Sequence, residues 1–117
     1  AEPAPETPFI EQVMARAREK GLSESALSRR ANMTLARLSA LRNRPGELPD
    51  RDAAMALCVA LSLTEDEARA LLASAGLFLL PRDRRDAIIG FFIGLGADIY
   101  ALNAALYACG ERQLFFI

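Results

Sequence analysis

The stretch from Leu22 to Arg44 constrains the fold of this chain more than any other segment. Two hydroxyl residues, Ser23 and Thr34, each stand directly before a short segment of helical periodicity. A hydroxyl at such a place can accept a hydrogen bond from a free N–H group of the opening turn. Asn32 lies between the two segments, and asparagine tolerates the left-handed backbone better than most residues. The pattern predicts two short helices joined by a tight turn.

The apolar residues of this stretch recur at the spacing of one helix face, which predicts that both helices pack on the same core. Ser28 is a small residue at the place where the two helices would cross closely. Two short helices that pack across a tight turn form a helix-turn-helix. The residues predicted to face inward are Leu22, Leu27, Ala31, Met33, Leu38 and Leu41.

The motif L-S-x-x-x-L-S-x-x-A-N-M-T-x-x-x-L-S-x-L, from Leu22 to Leu41, resembles the helix-turn-helix of lambda-repressor-like (XRE-type) regulators. The segment from Pro49 to Thr64 looks like the fourth helix of the same fold and its exit. A longer resemblance, from Leu22 to Leu114, is to a bacterial domain found at the C-terminal end of multidomain proteins of the signalling or defence type. The residues that carry the longer resemblance are Ser39, Leu41-Arg42, Ala53 to Leu63, Leu71-Leu72, Ala75-Gly76, Asp86, Ile88-Ile89, Phe92-Ile93, Asp98-Ile99, Asn103 and Leu106.

The first resemblance implies a non-catalytic module that binds DNA through its third helix. In lambda-repressor-like proteins this helix lies in the major groove, with its N-terminal residues over the base edges. Arg37 can bond guanine or phosphate, and Ser39 can bond either, while Arg42 and Arg44 would lie near the DNA backbone. The positions predicted to contact DNA are Thr34, Leu35, Ala36, Arg37, Ser39, Ala40, Arg42 and Arg44.

The same face also has features that disfavour sequence-specific readout. Leu35, Ala36 and Ala40 offer no hydrogen bonds to bases. Glu24 stands where many family members carry a glutamine beside a phosphate, and Arg42 replaces an acidic residue that is common at its position. These features predict a weak, salt-sensitive contact with DNA. The alternative is that the Leu35-Ala36 step, ringed by arginines, docks a protein partner or a second copy of the chain.

The charges of the chain are distributed unevenly. The net charge is −1, but residues 9–49 carry eight basic residues against four acidic ones. A local positive surplus can attract an anionic partner even when the whole chain is near neutral. The alternative interpretation is an ordinary solvated surface.

The composition offers little for catalysis. Histidine, the commonest acid–base group and metal ligand, is absent from the sequence. Cys58 and Cys109 stand alone in apolar helical patterns, which predicts small buried residues in a reducing compartment rather than metal ligands. Gly94-Leu95-Gly96 fits a helix end better than a phosphate loop. We therefore predict no enzyme activity, no cofactor and no metal.

Composition and helical periodicity predict an all-α domain of seven helices, since 52% of the residues are hydrophobic and few are β-branched. The prolines and acids of residues 1–7 predict a linker. Residues 8–76 are predicted to form the helix-turn-helix core, and residues 77–117 a C-terminal extension of two helices packed on it. No signal-peptide pattern is visible, and the longest apolar run, Ile88 to Ile93, is too short to span a bilayer. We expect a cytoplasmic location.

The starts of the other helices are predicted from capping residues and prolines. The predicted starts are Thr7-Pro8 for helix one, Asp50 for helix four, Thr64 in a capping box for helix five, Pro81 for helix six and Asp98 for helix seven.

Three features of the C-terminal part predict contacts with the core of the domain. The connector from Leu77 to Leu80 is expected to pack across the core. Asn103 flanks the apolar stripe of helix seven and is expected to bond buried backbone groups. The segment from Leu114 to Ile117 is expected to fold back onto helix one or seven, with a hydrophobic strap across a homodimer as the alternative.

Overall fold

The computed structural model describes residues 7–116 and contains seven α-helices in that range. No strand occurs among these residues, although one isolated β-bridge joins Met33 to Phe116. The prediction of an all-α fold with seven helices is confirmed. The helices are α1 (Phe9–Glu19), α2 (Glu24–Arg30), α3 (Leu35–Asn43), α4 (Arg51–Ala60), α5 (Glu65–Ala73), α6 (Arg84–Gly94) and α7 (Ile99–Ala108).

The helix-turn-helix is formed by α2 and α3, and its local chemistry is as predicted. The hydroxyl of Ser23 accepts a hydrogen bond from Ala26 N–H at 3.1 Å, and that of Thr34 accepts one from Arg37 N–H at 3.1 Å. Asn32 has a φ of 58°, so it adopts the left-handed conformation that reverses the chain. The predicted caps and turn are therefore confirmed.

Carboxylate and hydroxyl caps also fix the starts of three later helices. Asp50 accepts a hydrogen bond from Ala53 N–H at 2.7 Å at the start of α4, and Asp98 caps α7 in the same way. Thr64 and Glu67 exchange hydrogen bonds in the predicted capping box of α5. These three starts are confirmed.

The two starts predicted from proline are wrong. Pro8 lies at the N-cap position outside α1, no side chain caps that helix, and the first helical residue is Phe9. Pro81 lies in a turn before α6, which instead begins after Asp83, whose carboxylate accepts a hydrogen bond from Asp86 N–H at 2.9 Å. Asp83, two residues after Pro81, supplies the acceptor for a free N–H group in the first turn of α6, which the side chain of a proline cannot do.

Helix α4 forms the centre of the core. All its residues from Ala53 to Ala60 are buried, and it packs against α2, α5, α6 and α7. Burial raises the pKa of the Cys58 thiol on this helix to about 12, so the thiol stays neutral. Cys109, predicted on the buried stripe of α7, is only half-buried, and both cysteines are free.

The connector from Leu77 to Leu80 does not pack across the core as a whole. Leu79 is buried, whereas Phe78 is 61% exposed and Leu80 is 54% exposed. The prediction was wrong because the side chains of this segment alternate between the core and solvent. Leu79 approaches α6 at Gly90, where a Cβ atom would lie 3.3 Å from Leu79 Cδ1.

The C-terminal residues return to the helix-turn-helix. Leu114 is fully buried beside α7, and Asn103 bonds its backbone, so the predicted role of Asn103 is confirmed. The predicted folding back of the segment from Leu114 to Ile117 onto helix seven is confirmed for Leu114, whereas Phe115 is exposed and Phe116 contacts Met33 and Arg37. Ile117 and the greater part of the predicted linker, residues 1–6, lie outside the described residues. Between residues 7 and 116, no helix is long and apolar enough to cross a membrane.

Candidate nucleic-acid interface

The orientation of α3 is set by two leucines. Leu38 is fully buried, Leu41 is half-buried, and the helix packs against α1 and α2. The opposite side of α3 is open to solvent, and Leu35 on it is 47% exposed. The exposure of this side leaves it uncovered by α6 and α7. Of the predicted DNA-contacting positions, those that are exposed are Thr34, Leu35, Ala36, Arg37, Ala40, Arg42 and Arg44, while Ser39 is half-buried.

Arg37 is held by two groups from outside its own helix. Its Nη2 atom lies 2.8 Å from Asp50 Oδ2, the carboxylate that caps α4. Its guanidinium carbon lies 5.0 Å from the centre of the Phe116 ring, within the range of a cation–π contact. The side chain is nevertheless 42% exposed. Sequence reasoning predicted Arg37 at the interface but found neither of its partners.

Arg42 and Arg44, at the end of α3, also face carboxylates. Arg42 Nε lies 2.9 Å from Glu24 Oε1, and Arg44 Nη1 lies 3.6 Å from Glu47 Oε1. The two departures from the family pattern, Glu24 and Arg42, are therefore partners of one another. The acidic residue of this contact is on α2 and the basic residue is on α3.

Each of the three arginines has a carboxylate partner that neutralises its charge, but its guanidinium group remains accessible to solvent. Exposed ion pairs of this kind contribute only about 0–1 kcal/mol, because water screens them and the side chains lose freedom. A phosphate group carries a full negative charge and several acceptor oxygens, so it can replace a carboxylate in such a pair. Each of these arginines can therefore leave its carboxylate partner and bond an external anion instead.

A second group of arginines is structural. Arg85 bonds Asp52 through two contacts of 2.7 and 3.1 Å, and Arg112 contacts the same carboxylate at 3.2 Å. Arg51 bonds Asp86 and the carbonyl oxygen of Phe78. These contacts join α4 to α6 and to the segments around them. Sequence reasoning missed them, since the partners lie 27 to 60 residues apart and no local pattern marks them.

The carboxyl group of Asp52 should make stability depend on pH. Burial alone would raise the pKa of Asp52, but the hydrogen bonds and charges of Arg85 and Arg112 outweigh it and hold the pKa below its usual value. The stabilisation is therefore complete above about pH 4 and is lost as the pH falls through the lowered pKa. We expect Asp52→Asn to flatten the fall of the free energy of unfolding below pH 4, as measured by urea titration.

The matched control for that measurement is Asp66→Asn, which removes an exposed carboxylate in the first turn of α5. Its pH dependence should follow that of the unmodified protein. If the free energy of unfolding falls equally with pH in all three proteins, protonation of Asp52 beside Arg85 and Arg112 does not contribute to acid unfolding.

Within residues 7–116 no group of three or more cysteine, aspartate or glutamate side chains is placed to hold a metal ion. The charged groups of the α3 face are arginines with single carboxylate partners. These arginines are the positively charged groups that an anionic partner could contact.

Comparison with known families gives a match that covers the helix-turn-helix. Residues 13–68 match the family model of the Cro/C1-type HTH DNA-binding domain. The match runs from within α1 to the first turn of α5, and it includes every position predicted to contact DNA. Helices α6 and α7 lie outside it. No curated protein and no solved structure matches the chain.

Proposed function

We propose that residues 13–68 bind duplex DNA through the exposed face of α3, as a non-catalytic regulatory module. One observation carries the proposal: the face that bears Arg37, Arg42 and Arg44 is open to solvent, in the segment that matches a DNA-binding family model. In this arrangement α3 enters the major groove with its N-terminal residues over the bases.

The roles of the side chains follow from their place on α3. Arg37, near the N-terminal end, bonds a guanine edge or a phosphate, and Ser39 adds a hydroxyl. Arg42 and Arg44, at the other end, bond phosphates. Because the remaining exposed positions are apolar or engaged in capping, phosphate contacts supply most of the affinity. Such binding is weakly sequence-specific and falls steeply with salt.

The carboxylates beside the arginines limit this affinity. Each arginine must leave an aspartate or glutamate before it can bond DNA, and the released carboxylate stays near the phosphates. Glu24 is the clearest case, because it contacts Arg42 and lies in the first turn of α2, beside the interface. A regulator of this kind acts where the DNA lies, which in a bacterium, the source that the longer resemblance implies, is the cytoplasm.

The proposal predicts that Glu24→Gln strengthens DNA binding. The substitution keeps the size of the side chain, frees Arg42 and removes a charge that repels phosphate. We expect about a three- to fivefold tighter complex with labelled duplex DNA in 50 mM salt, corresponding to the energy of one exposed ion pair. Fluorescence anisotropy measures the change.

The control is Glu19→Gln, which removes an equal charge from the exposed end of α1. A general reduction of negative charge would strengthen binding in both variants equally. If Glu24→Gln gains no more affinity than this control, the contact of Glu24 with Arg42 does not lie at the DNA interface.

A further inference from the structure

We propose that the segment Leu114–Phe116, here called the strap, is an autoinhibitory element that covers part of Arg37 and must release it before α3 can use this arginine on DNA. The inference rests on the proposed function, because it concerns the same face of α3. It adds a regulatory element from outside the matched family segment. The strap has two parts: a buried residue that fixes it to the domain, Leu114, here called the anchor, and a residue that contacts Arg37, Phe116, here called the cover.

The anchor is Leu114. Its side chain is fully buried, and Asn103 of α7 both accepts a hydrogen bond from its N–H group at 2.7 Å and donates one to its carbonyl oxygen at 2.9 Å. The same carbonyl accepts a hydrogen bond of 3.1 Å from Asn32, the residue that turns the chain between α2 and α3. The start of the strap is thus fastened to both α7 and the helix-turn-helix.

The cover is Phe116. It forms the bridge with Met33, next to the cap of α3, and places its half-buried ring 5.0 Å from the guanidinium of Arg37. Asp50 holds the same guanidinium at 2.8 Å. Phe115 is 61% exposed. Arg37 is therefore held by a ring and a carboxylate at the end of α3 that would face the bases.

These contacts compete with DNA rather than assist it. A phenylalanine ring offers no hydrogen bond to a phosphate or a base, and the Asp50 carboxylate repels phosphate. The contacts of Phe116 with Arg37 and Met33 can break while Leu114 stays in its buried site. Uncovering Arg37 therefore costs the cation–π contact, the bridge to Met33 and the packing of the half-buried ring, but leaves the buried Leu114 in place. A DNA strand or another anion can meet this cost.

The test compares DNA binding of Phe116→Ala and Phe116→Leu with that of the unmodified protein. Phe116→Leu keeps apolar bulk but removes the aromatic ring, so it guards against loss of local packing. We expect both variants to bind duplex DNA about three- to fivefold more tightly in 50 mM salt. Phe116→Tyr, which keeps the ring, and Phe115→Ala, which changes the exposed neighbour, should stay within about twofold of the unmodified protein.

A double-mutant cycle shows whether the effect acts through Arg37. In the Arg37→Ala background, Phe116→Ala should no longer change the affinity, because the covered group is gone. An equal gain in both backgrounds, or a loss of affinity in Phe116→Ala, would overturn the inference. The second of these results would mean that Phe116 positions Arg37 for DNA.

Two results separate this inference from the proposed function. If the unmodified protein binds DNA but Phe116→Ala behaves like Phe115→Ala, the strap is not a cover and the DNA-binding proposal stands. If no variant binds DNA in 50 mM salt, both proposals fail. A measurement without DNA checks the contact itself: the ring-current shift of the Arg37 Nε–H resonance should disappear in Phe116→Leu and persist in Phe115→Ala.

Discussion

Replacing Asp86 by alanine is expected to lower the free energy of unfolding by about 3 kcal/mol. The Asp86 carboxylate is buried at the start of α6, where it bonds Arg51 of α4 and accepts a hydrogen bond of 2.8 Å from Leu80 N–H. Its removal leaves Leu80 N–H without its acceptor and leaves the Arg51 guanidinium with the Phe78 carbonyl oxygen alone. We take the lower end of the usual range because the Arg51 side chain is 35% exposed and can be hydrated in part.

Urea unfolding followed by circular dichroism measures this change. Glu19→Ala is the control, since it also removes one carboxylate but from an exposed site, and it should shift the free energy of unfolding by less than about 0.5 kcal/mol. If Asp86→Ala is as stable as this control, the contact of α4 with α6 does not depend on the buried carboxylate.

The double substitution Arg37→Ala with Arg42→Ala is expected to weaken DNA binding about 30-fold in 50 mM salt. Each arginine is expected to contribute about 1 kcal/mol, near the lower end of the range for arginines that contact DNA, because each first leaves a carboxylate. Two such losses correspond to about 30-fold in affinity if they add. The folded structure should persist, because both side chains are exposed and neither lies in the core.

The control for the loss of charge is Arg82→Ala with Arg84→Ala, at and just before the start of α6. It removes the same number of positive charges from outside the matched segment. Anisotropy titrations with the same duplex should show less than about a threefold change for this pair. Equal losses in both double variants would indicate a diffuse electrostatic attraction rather than an interface on α3.

Local chemistry made much of the fold predictable. Side-chain caps act within three residues, so Ser23, Thr34 and Thr64 could be recognised directly from the sequence and lie at helix starts in the structure. The turn at Asn32 and the inward position of Leu38 follow in the same way from residue type and spacing. Because the caps and the turn fix the ends of α3 and Leu38 faces the core, the opposite face of α3 is left open to solvent.

The contacts that modify this face could not be predicted, because they depend on tertiary structure. Asp50 could be recognised as a helix cap, but its second contact, with Arg37, lies across 13 residues of chain. Phe116 was expected to return to the domain, yet only the fold shows that it reaches Met33 and Arg37. Proline gave wrong helix starts because it permits a first turn without supplying the acceptor that fixes it.

The salt dependence of DNA binding tests the central claim most directly. Labelled duplex DNA should be titrated with the full chain between 50 and about 200 mM salt, beside the Arg37→Ala, Arg42→Ala variant. If three arginines of α3 bond phosphates, the logarithm of the affinity should fall with the logarithm of the salt concentration with a slope of about −2.7, and the variant should show about −0.9. Absence of binding by the unmodified protein at 50 mM salt, or equal slopes for both proteins, would contradict the assignment of α3 as the DNA-binding helix.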